Sequence, residues 1–434
     1  MGDPIVILGA GLAGLSAAYH AQKRGIPYLL FEKESRPGGL VRSERVHGFS
    51  FDYTGHLLHI KQERTRQLVL KDLGLAKAFG PVIRDSWVYM NGRYTRAPFQ
   101  ANLFGQPDKV IAECLDGILR AHGHLPGGLP AKDGMPPFFE EWNLRAFGKG
   151  IYKHFMAPYN TKLWGIHPSK MTTGFMGRFV PKPSLAQVFE GALSDIGKPM
   201  GYNANFIYPK KGGIELLSAA LAREVEAHCN TYAVGVDPKR KEVTLNTGDV
   251  VRYKKLISTQ HLPALVSMTK AAPVAVKAAS KKLRASSVLN VNFGIAGRNV
   301  STKQWVYVPE PHLPFYRVGF YHNFSSALAP QGGSSVYAEM SYSPTRPLDK
   351  KKAPARVRQG LIEMGILKKS DKIAATFVAD IKNAYVVYDA HRDAAVAKIQ
   401  DYYRAQGIAS TGRWGNWEYA AMEDAIWQGE AALH

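Results

Sequence analysis

Apolar positions at the start of the chain run without a break through Pro4-Ile5-Val6-Ile7-Leu8, then give way to Gly9-Ala10-Gly11-Leu12-Ala13-Gly14. Leu15, Ala18, Tyr19 and Ala21 follow at helical spacing, and a second short apolar run, Pro27-Tyr28-Leu29-Leu30-Phe31, ends in Glu32. A short continuous apolar run bounded by turn residues is the pattern of a strand buried on both faces. The first 32 residues therefore predict strand, glycine turn, helix, strand. From about residue 60 to 200 the pattern turns helical, with apolar spacing near 3.6 over Arg64 to Leu75, Lys109 to Ala121 and Phe138 to Met156. Strand patterns return at Tyr232 to Val236, Glu242 to Leu245, Val250 to Ile257 and Val288 to Gly294, with Asp237-Pro238-Lys239 as a turn. Lys254 to Thr259 is expected to bring the chain back to the first sheet. Trp305 to Val308 and Phe315 to His322 read as strands of a second sheet, and Ala420 to Leu433 as a closing helix.

These elements predict an α/β fold: a Rossmann-type domain with an inserted helical domain and a substrate-side antiparallel sheet. We expect the nucleotide domain to be discontinuous, over 1–90, 200–290 and 380–434, with the helical insertion at 91–199 and the sheet domain at 291–379. A length of 434 residues accommodates this, and no repeat or low-complexity segment interrupts it.

Composition narrows the function classes. Fifty-six Lys and Arg against 35 Asp and Glu leave a formal charge of +21. The basic residues fall in scattered pairs and triplets such as Lys210-Lys211, Lys281-Lys282 and Lys350-Lys351-Lys352, which argues for solvated faces plus an anion-binding cleft and against a nucleic-acid platform. No apolar run approaches the ~18 residues of a spanning helix. Cys114 and Cys229, the only cysteines, form no CxxC pair, so neither a disulfide framework nor a cysteine metal site is expected. His56 and His59 lack a third ligand at zinc spacing, and no metal is expected. The strand at the very start leaves no secretory leader, and a cytoplasmic location is the expectation.

The glycine turn has a specific chemistry. Gly9 permits the tight turn, Gly11 lets backbone approach a pyrophosphate, and Gly14 lets helix and strand pack closely. The helix N-terminus then faces the phosphates, and Glu32 is placed to accept from a ribose hydroxyl. Arg36-Pro37-Gly38-Gly39-Leu40, directly behind the ribose acid, resembles the second glycine turn of glutathione-reductase-like and amine-oxidase-like flavoproteins, and the cofactor it implies is FAD.

Further strings carry a wider resemblance. Gly55-His56-Leu57-Leu58-His59, Pro98-Phe99-Gln100, Pro158-Tyr159-Asn160-Thr161-Lys162-Leu163-Trp164 and Tyr202-Asn203-Ala204-Asn205-Phe206 occur in that order. Trp305-Val306-Tyr307, Phe315-Tyr316-Arg317, Ala384-Tyr385 and Gly412-Arg413-Trp414-Gly415-Asn416-Trp417-Glu418-Tyr419 follow. Together they resemble the UDP-galactopyranose mutases of the longer, eukaryotic type, within the amine-oxidase and protoporphyrinogen-oxidase-like flavoproteins, over nearly the whole chain.

The resemblance implies an enzyme, a flavin-dependent intramolecular transferase that interconverts pyranose and furanose forms of UDP-galactose or a related nucleotide sugar for cell-surface polysaccharide synthesis. Reduced FAD acts through N5 on the anomeric carbon with no net redox change, and NADPH or NADH is the external reductant this allows. It implies catalytic roles for Arg317, Arg178 and His56. Gly9, Gly11, Gly14, Glu32, Lys33, Gly38, Gly39, Leu40, Gly55, His56, Gly412 and Tyr419 would bind the cofactor. Phe99, Gln100, Tyr159, Asn160, Trp164, Asn203, Trp305, Tyr307, Arg317, Tyr385, Arg413 and Tyr419 would bind substrate, with Phe99 and Trp164 flanking the base. Arginine suits a pyrophosphate because its fork is planar, charged and bidentate. The partner expected is a small nucleotide sugar, with no nucleic acid and no membrane span, and the inserted helices leave room for a homo-oligomer.

Two features depart from the family pattern. Ala97 stands where the longer mutases carry an aromatic residue, and Arg178 aligns with the family's loop arginine only after a one-residue shift. Asn383 to Asp389 also resembles the C-terminal strand of the oxidases, so the alternative is an FAD-dependent oxidoreductase of the amine-oxidase or protoporphyrinogen-oxidase type. The closing helix is expected to aim its positive end at the flavin pyrimidine.

Overall fold

In the computed structural model, residues 2–129, 134–176, 179–197 and 204–434 are described. Arg178 and Asn203, both expected in the site, lie outside them.

The opening pattern folds as β1 (Ile5–Leu8), α1 (Leu12–Lys23) and β2 (Tyr28–Phe31). A four-stranded parallel sheet runs in the order Ile408–Ser410, Lys255–Ser258, β1, β2. β1 is buried along its whole length, which is why its sequence has no polar alternation. α1 is buried over Leu12 to Tyr19 because helices pack on it from outside. One is Met422–Ala431, whose Gly429 lies so close that a Cβ there would run into the Ala13 carbonyl oxygen. Ser16 Oγ donates to the Ile426 carbonyl at 2.6 Å across the same contact.

The run expected as one strand from Val250 to Ile257 is two, Val250–Arg252 and Lys255–Ser258. The first completes a small antiparallel sheet with Ala233–Asp237 and Glu242–Leu245, the second enters the parallel sheet beside β1. The chain breaks between them because it changes partners: Tyr253 N–H donates to Lys241 O and Lys254 N–H to Pro4 O.

The substrate-side sheet has seven strands, in the order Ile373–Val386, Ala285–Ile295, Ser334–Tyr342, Arg317–Gly319, Trp305–Tyr307, Ser86–Met90, Arg93–Arg96. Neighbours are antiparallel except Trp305–Tyr307 and Ser86–Met90, which are parallel. The helical reading of 60 to 200 needs correcting here, because Phe79–Ile83, Ser86–Met90 and Arg93–Arg96 are strands. Phe79–Ile83 pairs with the distant Asn205–Pro209, which local periodicity does not register, whereas Ser86–Met90 and Arg93–Arg96 form a hairpin across Asn91-Gly92, a local turn signal that the helical reading missed. Helices Asp108–Ala121, Phe139–Ile151 and Leu185–Leu193 do fill the following stretch. Phe139–Ile151 runs on through a wider π-type turn, Tyr152–Met156, into Ala157–Trp164. Lys162 and Trp164 on that last helix are buried beside the seven-stranded sheet. No helix among the described residues is long and apolar enough to cross a membrane.

Candidate active site: a glycine cradle beside a cleft of arginines and tyrosines

Three turns build the cradle. Gly9 stands at φ +96°, and a Cβ on Gly14 would strike the Gly9 carbonyl oxygen, so only glycine lets the turn and α1 coexist. The N-terminus of α1 has no side-chain cap and no acidic residue in its first turn, which leaves its N–H groups and positive end for an anion. The second turn docks on the first through Gly38 N–H, which donates to Ala10 O at 2.8 Å, and the Cα atoms of Gly39 and Gly11 come close. The third is Gly412 at φ +77°, where a Cβ would press on the Ala13 side chain.

Glu32 is buried at the end of β2. Its Oε2 accepts from Ala10 N–H at 2.7 Å and its Oε1 from Glu34 N–H at 2.9 Å, so it fixes the shape of the glycine loop and keeps lone pairs for a ribose. Lys33 points to solvent and pairs with Glu34 at 3.5 Å. Leu40 is half-buried against Ala379 and Ile381 of the large sheet. An uncapped helix end, glycines at each close approach and a buried acid suit a dinucleotide such as FAD.

Beside the cradle, the strand Phe49–Asp52 ends in Asp52, buried among Ser43 Oγ (2.6 Å), Tyr208 OH (2.5 Å) and Ile214 N–H (3.3 Å), all of which donate to it. Burial outweighs these donors and pushes its carboxyl up to about 6. The chain then turns through Thr54 at φ +145° and Gly55, where a Cβ would collide with the Tyr337 hydroxyl. His56 follows, its N–H donating to Thr54 O at 2.9 Å. Desolvation, then the charges of Arg413 and Arg317, push its imidazole down to about 3. The imidazole is therefore neutral at physiological pH, and its proximity to both arginines brings three separate segments to one place.

Arg317 Nη2 donates to Oε1 and Oε2 of Glu339 at 2.7 Å each, and Nε donates to Oε1 at 3.0 Å. Glu339 has no exposed surface and also accepts from Tyr316 OH at 2.5 Å. Arg317 Nη1 has no hydrogen-bond partner among the described residues. Arg413 donates to two backbone carbonyls, Ala420 O (2.9 Å) and Ala384 O (2.8 Å), and lies over the rings of Tyr419 (4.8 Å) and Tyr385 (5.4 Å). It has no carboxylate partner among the described residues.

Tyr385 and Tyr419 are near-parallel at 6.0 Å, and Tyr159 meets Tyr307 edge-on at 5.3 Å. The hydroxyls of Tyr159, Tyr385 and Tyr419 find no partner among the described residues, and burial pushes that of Tyr385 up to about 12. Tyr307 OH accepts from Arg84 Nη2 at 3.3 Å. The cleft thus offers two guanidinium groups and several phenols to a ligand, with one compensating carboxylate, Glu339.

The expected base slot is different. Phe99 is fully buried and stacked on Phe155 at 5.3 Å, so it lines no open slot. Trp164 is buried with its Nε1 donating to Asn160 Oδ1 at 3.1 Å, while Asn160 Nδ2 donates to Met156 O at 2.8 Å. Gln100 Nε2 donates to Pro181 O at 3.0 Å, tying it to the loop over the cleft. Trp305 is buried against Phe206 and Phe324, with Nε1 unpartnered. The closing helix also departs from expectation. Its first turn carries Glu423 and Asp424, and Asp424 accepts from Ala421 N–H at 2.8 Å, so its positive end is already compensated.

Glu339, Arg84 and Tyr316 escaped the sequence reading. No local signal marked Glu339: the apolar Val336, Ala338 and Met340 alternate with it, a pattern that puts the carboxylate on the other, solvent-facing side of a strand, and only the neighbouring strand brings Arg317 opposite it.

The fold and cradle define a Rossmann-type dinucleotide-binding protein with a large second sheet beside the nucleotide domain. Residues 7–72 match the family model of the NAD(P)-binding Rossmann-like domain. Among curated proteins, the chain is 35% identical to protoporphyrinogen oxidase 2, chloroplastic/mitochondrial, of Arabidopsis thaliana over 272 residues, 57% of this chain and 51% of that protein. The match spans about half the length of that relative. Within the class, the chain resembles UDP-galactopyranose mutase from end to end. The crystal structure of the reduced enzyme superposes with a TM-score of 0.92 at 29% identity, covering 100% of this chain and 95% of that one. A putrescine oxidase shares the fold at a TM-score of 0.65 and 16% identity, covering 100% and 98%.

Proposed function

We propose that this protein is a flavin-dependent nucleotide-sugar mutase that interconverts pyranose and furanose forms of UDP-galactose or a close relative. The observation that carries the reading is the cleft's charge. Among the described residues Arg413 has only backbone carbonyls and aromatic faces for partners, Arg317 Nη1 has none, and phenol hydroxyls surround both. A pyrophosphate satisfies such a site, whereas an apolar polyene leaves the Arg413 charge without a compensating anion.

Gly9 to Gly14, Glu32, Gly38 to Leu40 and Gly412 would hold FAD, which in its reduced form would supply a nucleophilic N5 for the anomeric carbon. Arg317 and Arg413 hold the diphosphate as charge grows on it, the term that most lowers such a barrier. Tyr159, Tyr307, Tyr385 and Tyr419 donate hydroxyl protons to the same anion and keep the departed group in place for return. Neutral His56 adds no positive charge to the cleft. Phe179, whose ring meets Tyr419 at 4.8 Å, and Pro181 cover the cleft and exclude water. NADPH or NADH serves as the external reductant in this reading.

The test is incubation with UDP-galactofuranose, with the flavin oxidised in one tube and chemically reduced in another, followed by separation of the nucleotide sugars. Conversion to the pyranose in the reduced tube alone supports the mutase. No conversion in either tube, with protoporphyrinogen or an amine oxidised instead, overturns it in favour of the activity named for the curated relative or for putrescine oxidase.

A further inference from the structure

Lys162 stands on the helix that carries Tyr159 and Asn160 and reaches the connection between the two paired strands that carry Tyr307 and Arg317. It is 7% exposed. Its Nζ donates to Val308 O at 2.9 Å, Glu310 O at 2.8 Å and Phe315 O at 2.6 Å. All three carbonyls belong to the connection between Trp305–Tyr307 and Arg317–Gly319. The backbone of the same residue is held from the other side: Lys162 O accepts from Ser341 Oγ and from Arg346 Nη1.

We propose that Lys162 is a positioning residue, a three-point clasp that ties the helix Ala157–Trp164 to the connection between the two strands and so sets where Tyr307 and Arg317 stand relative to Tyr159. An ammonium has three donors and no acceptor, and here three carbonyls use all of them. The neutral amine has two N–H groups and a lone pair, which faces one carbonyl oxygen and releases that strand of the clasp. No carboxylate pairs with Lys162 among the described residues, so carbonyl dipoles alone compensate its charge.

A lysine kept only for stability has no reason to spend every donor on the one connection that joins two substrate-facing strands. The charged groups around it are few. Arg346 opposes its charge and Glu310 favours it, while Glu310 itself accepts from Asn91 N–H at 2.6 Å and faces His312 at 3.6 Å. Burial and Arg346 together push the ammonium down to about 7, so the clasp is complete below that pH and opens above it.

The inference rests on the proposed function only in naming Tyr307 and Arg317 as substrate groups, and the test separates the two. FAD-loaded wild type, Lys162→Met and Lys162→Arg are compared by amide hydrogen exchange over residues 305–319, corrected for the intrinsic pH dependence, and by UDP affinity, both from pH 6 to 8.5. In the wild type, exchange over 308–316 rises at least tenfold as pH passes through about 7, and UDP affinity falls with it. Lys162→Met is open at every pH with FAD retained. Lys162→Arg keeps its charge, restores part of the protection and removes the pH step. Unchanged exchange in a folded Lys162→Met overturns the proposal. Should that variant not fold, a wild-type segment without a step between pH 6 and 8.5 overturns it equally. A wild type that binds no UDP at any pH counts against the nucleotide-sugar reading, while the exchange data still decide the clasp.

Discussion

The Arg317 guanidinium closes on both carboxylate oxygens of Glu339, a residue with no exposed side-chain surface. Two buried charges are costly to desolvate, and breaking such a pair typically costs about 3–5 kcal/mol because one charge is left uncompensated. Arg317 and Glu339 stand opposite each other on neighbouring strands, so the pair fixes the fork of Arg317 against that carboxylate and leaves Nη1 for a ligand.

The first prediction follows from that geometry. Glu339→Gln and Arg317→Met each lower stability by about 3 kcal/mol, while the double variant recovers much of the loss because no lone charge is buried. Chemical denaturation of the four proteins with FAD bound checks this. Two single variants as stable as the wild type would show that the ion pair holds nothing.

Arg413 is expected to behave differently, since it has no carboxylate to abandon. Arg413→Ala removes a charged donor to the diphosphate, a loss of about 1.5–3 kcal/mol, or roughly 10- to 150-fold in UDP affinity, with little change in melting temperature. Titration calorimetry at fixed ionic strength measures the first and a thermal scan the second. Equal UDP affinity in the variant would place the diphosphate elsewhere.

Asp52 makes stability depend on pH in an unusual direction. Burial raises its carboxyl from the ordinary 3.8 to about 6, so the folded protein binds this proton more tightly than the unfolded chain. The stabilisation is complete below about pH 4, is lost as pH rises from 4 to 6, and stays absent above. Each unit is about 1.4 kcal/mol, which sets the loss at roughly 3 kcal/mol. Subtracting the denaturation curve of Asp52→Asn from that of the wild type across pH 4 to 7 isolates it; a flat difference would count against the assignment.

His56 is expected to stay neutral across the working range, because burial and two arginines push it down to about 3. Its imidazole NMR signals should hold constant from pH 5 to 8. A protonation step of His56 inside that range would mean that the ring is hydrated and not buried beside the arginines as described. Arg317→Met and Arg413→Ala should each move its midpoint upward.

Much of the nucleotide-binding half was legible from residue order. Ile5–Leu8 shows as an unbroken apolar run, Gly9 and Gly14 as glycines at the spacing of a tight strand-to-helix turn, and Glu32 as an acid at the end of the next strand. Each of these is a local property, carried within about thirty residues by turn chemistry and periodicity. The helices Asp108–Ala121 and Phe139–Ile151 were visible for the same reason.

Pairings between distant segments were not legible. Phe79–Ile83 contains Gly80 and Pro81 and pairs with Asn205–Pro209 without any local sign of that partner; Ser86–Met90 shows one partner locally, through the Asn91-Gly92 turn into Arg93–Arg96, but not the other, Trp305–Tyr307. The sequence reading puts Phe99 and Trp164 beside a base; it did not show that both side chains are buried, Phe99 stacked on Phe155 and Trp164 bonded to Asn160. The resemblance to a family pointed to Arg317 and Arg413, yet it did not disclose that one is clasped by Glu339 and the other left without a carboxylate. By itself, then, the sequence determined the first two turns of the dinucleotide cradle, because residues within one short stretch form them, while folding brings Gly412 to Ala13 as the third. The tertiary structure decided which charges in the cleft are compensated, because ion pairing depends on distances between strands that the chain order separates.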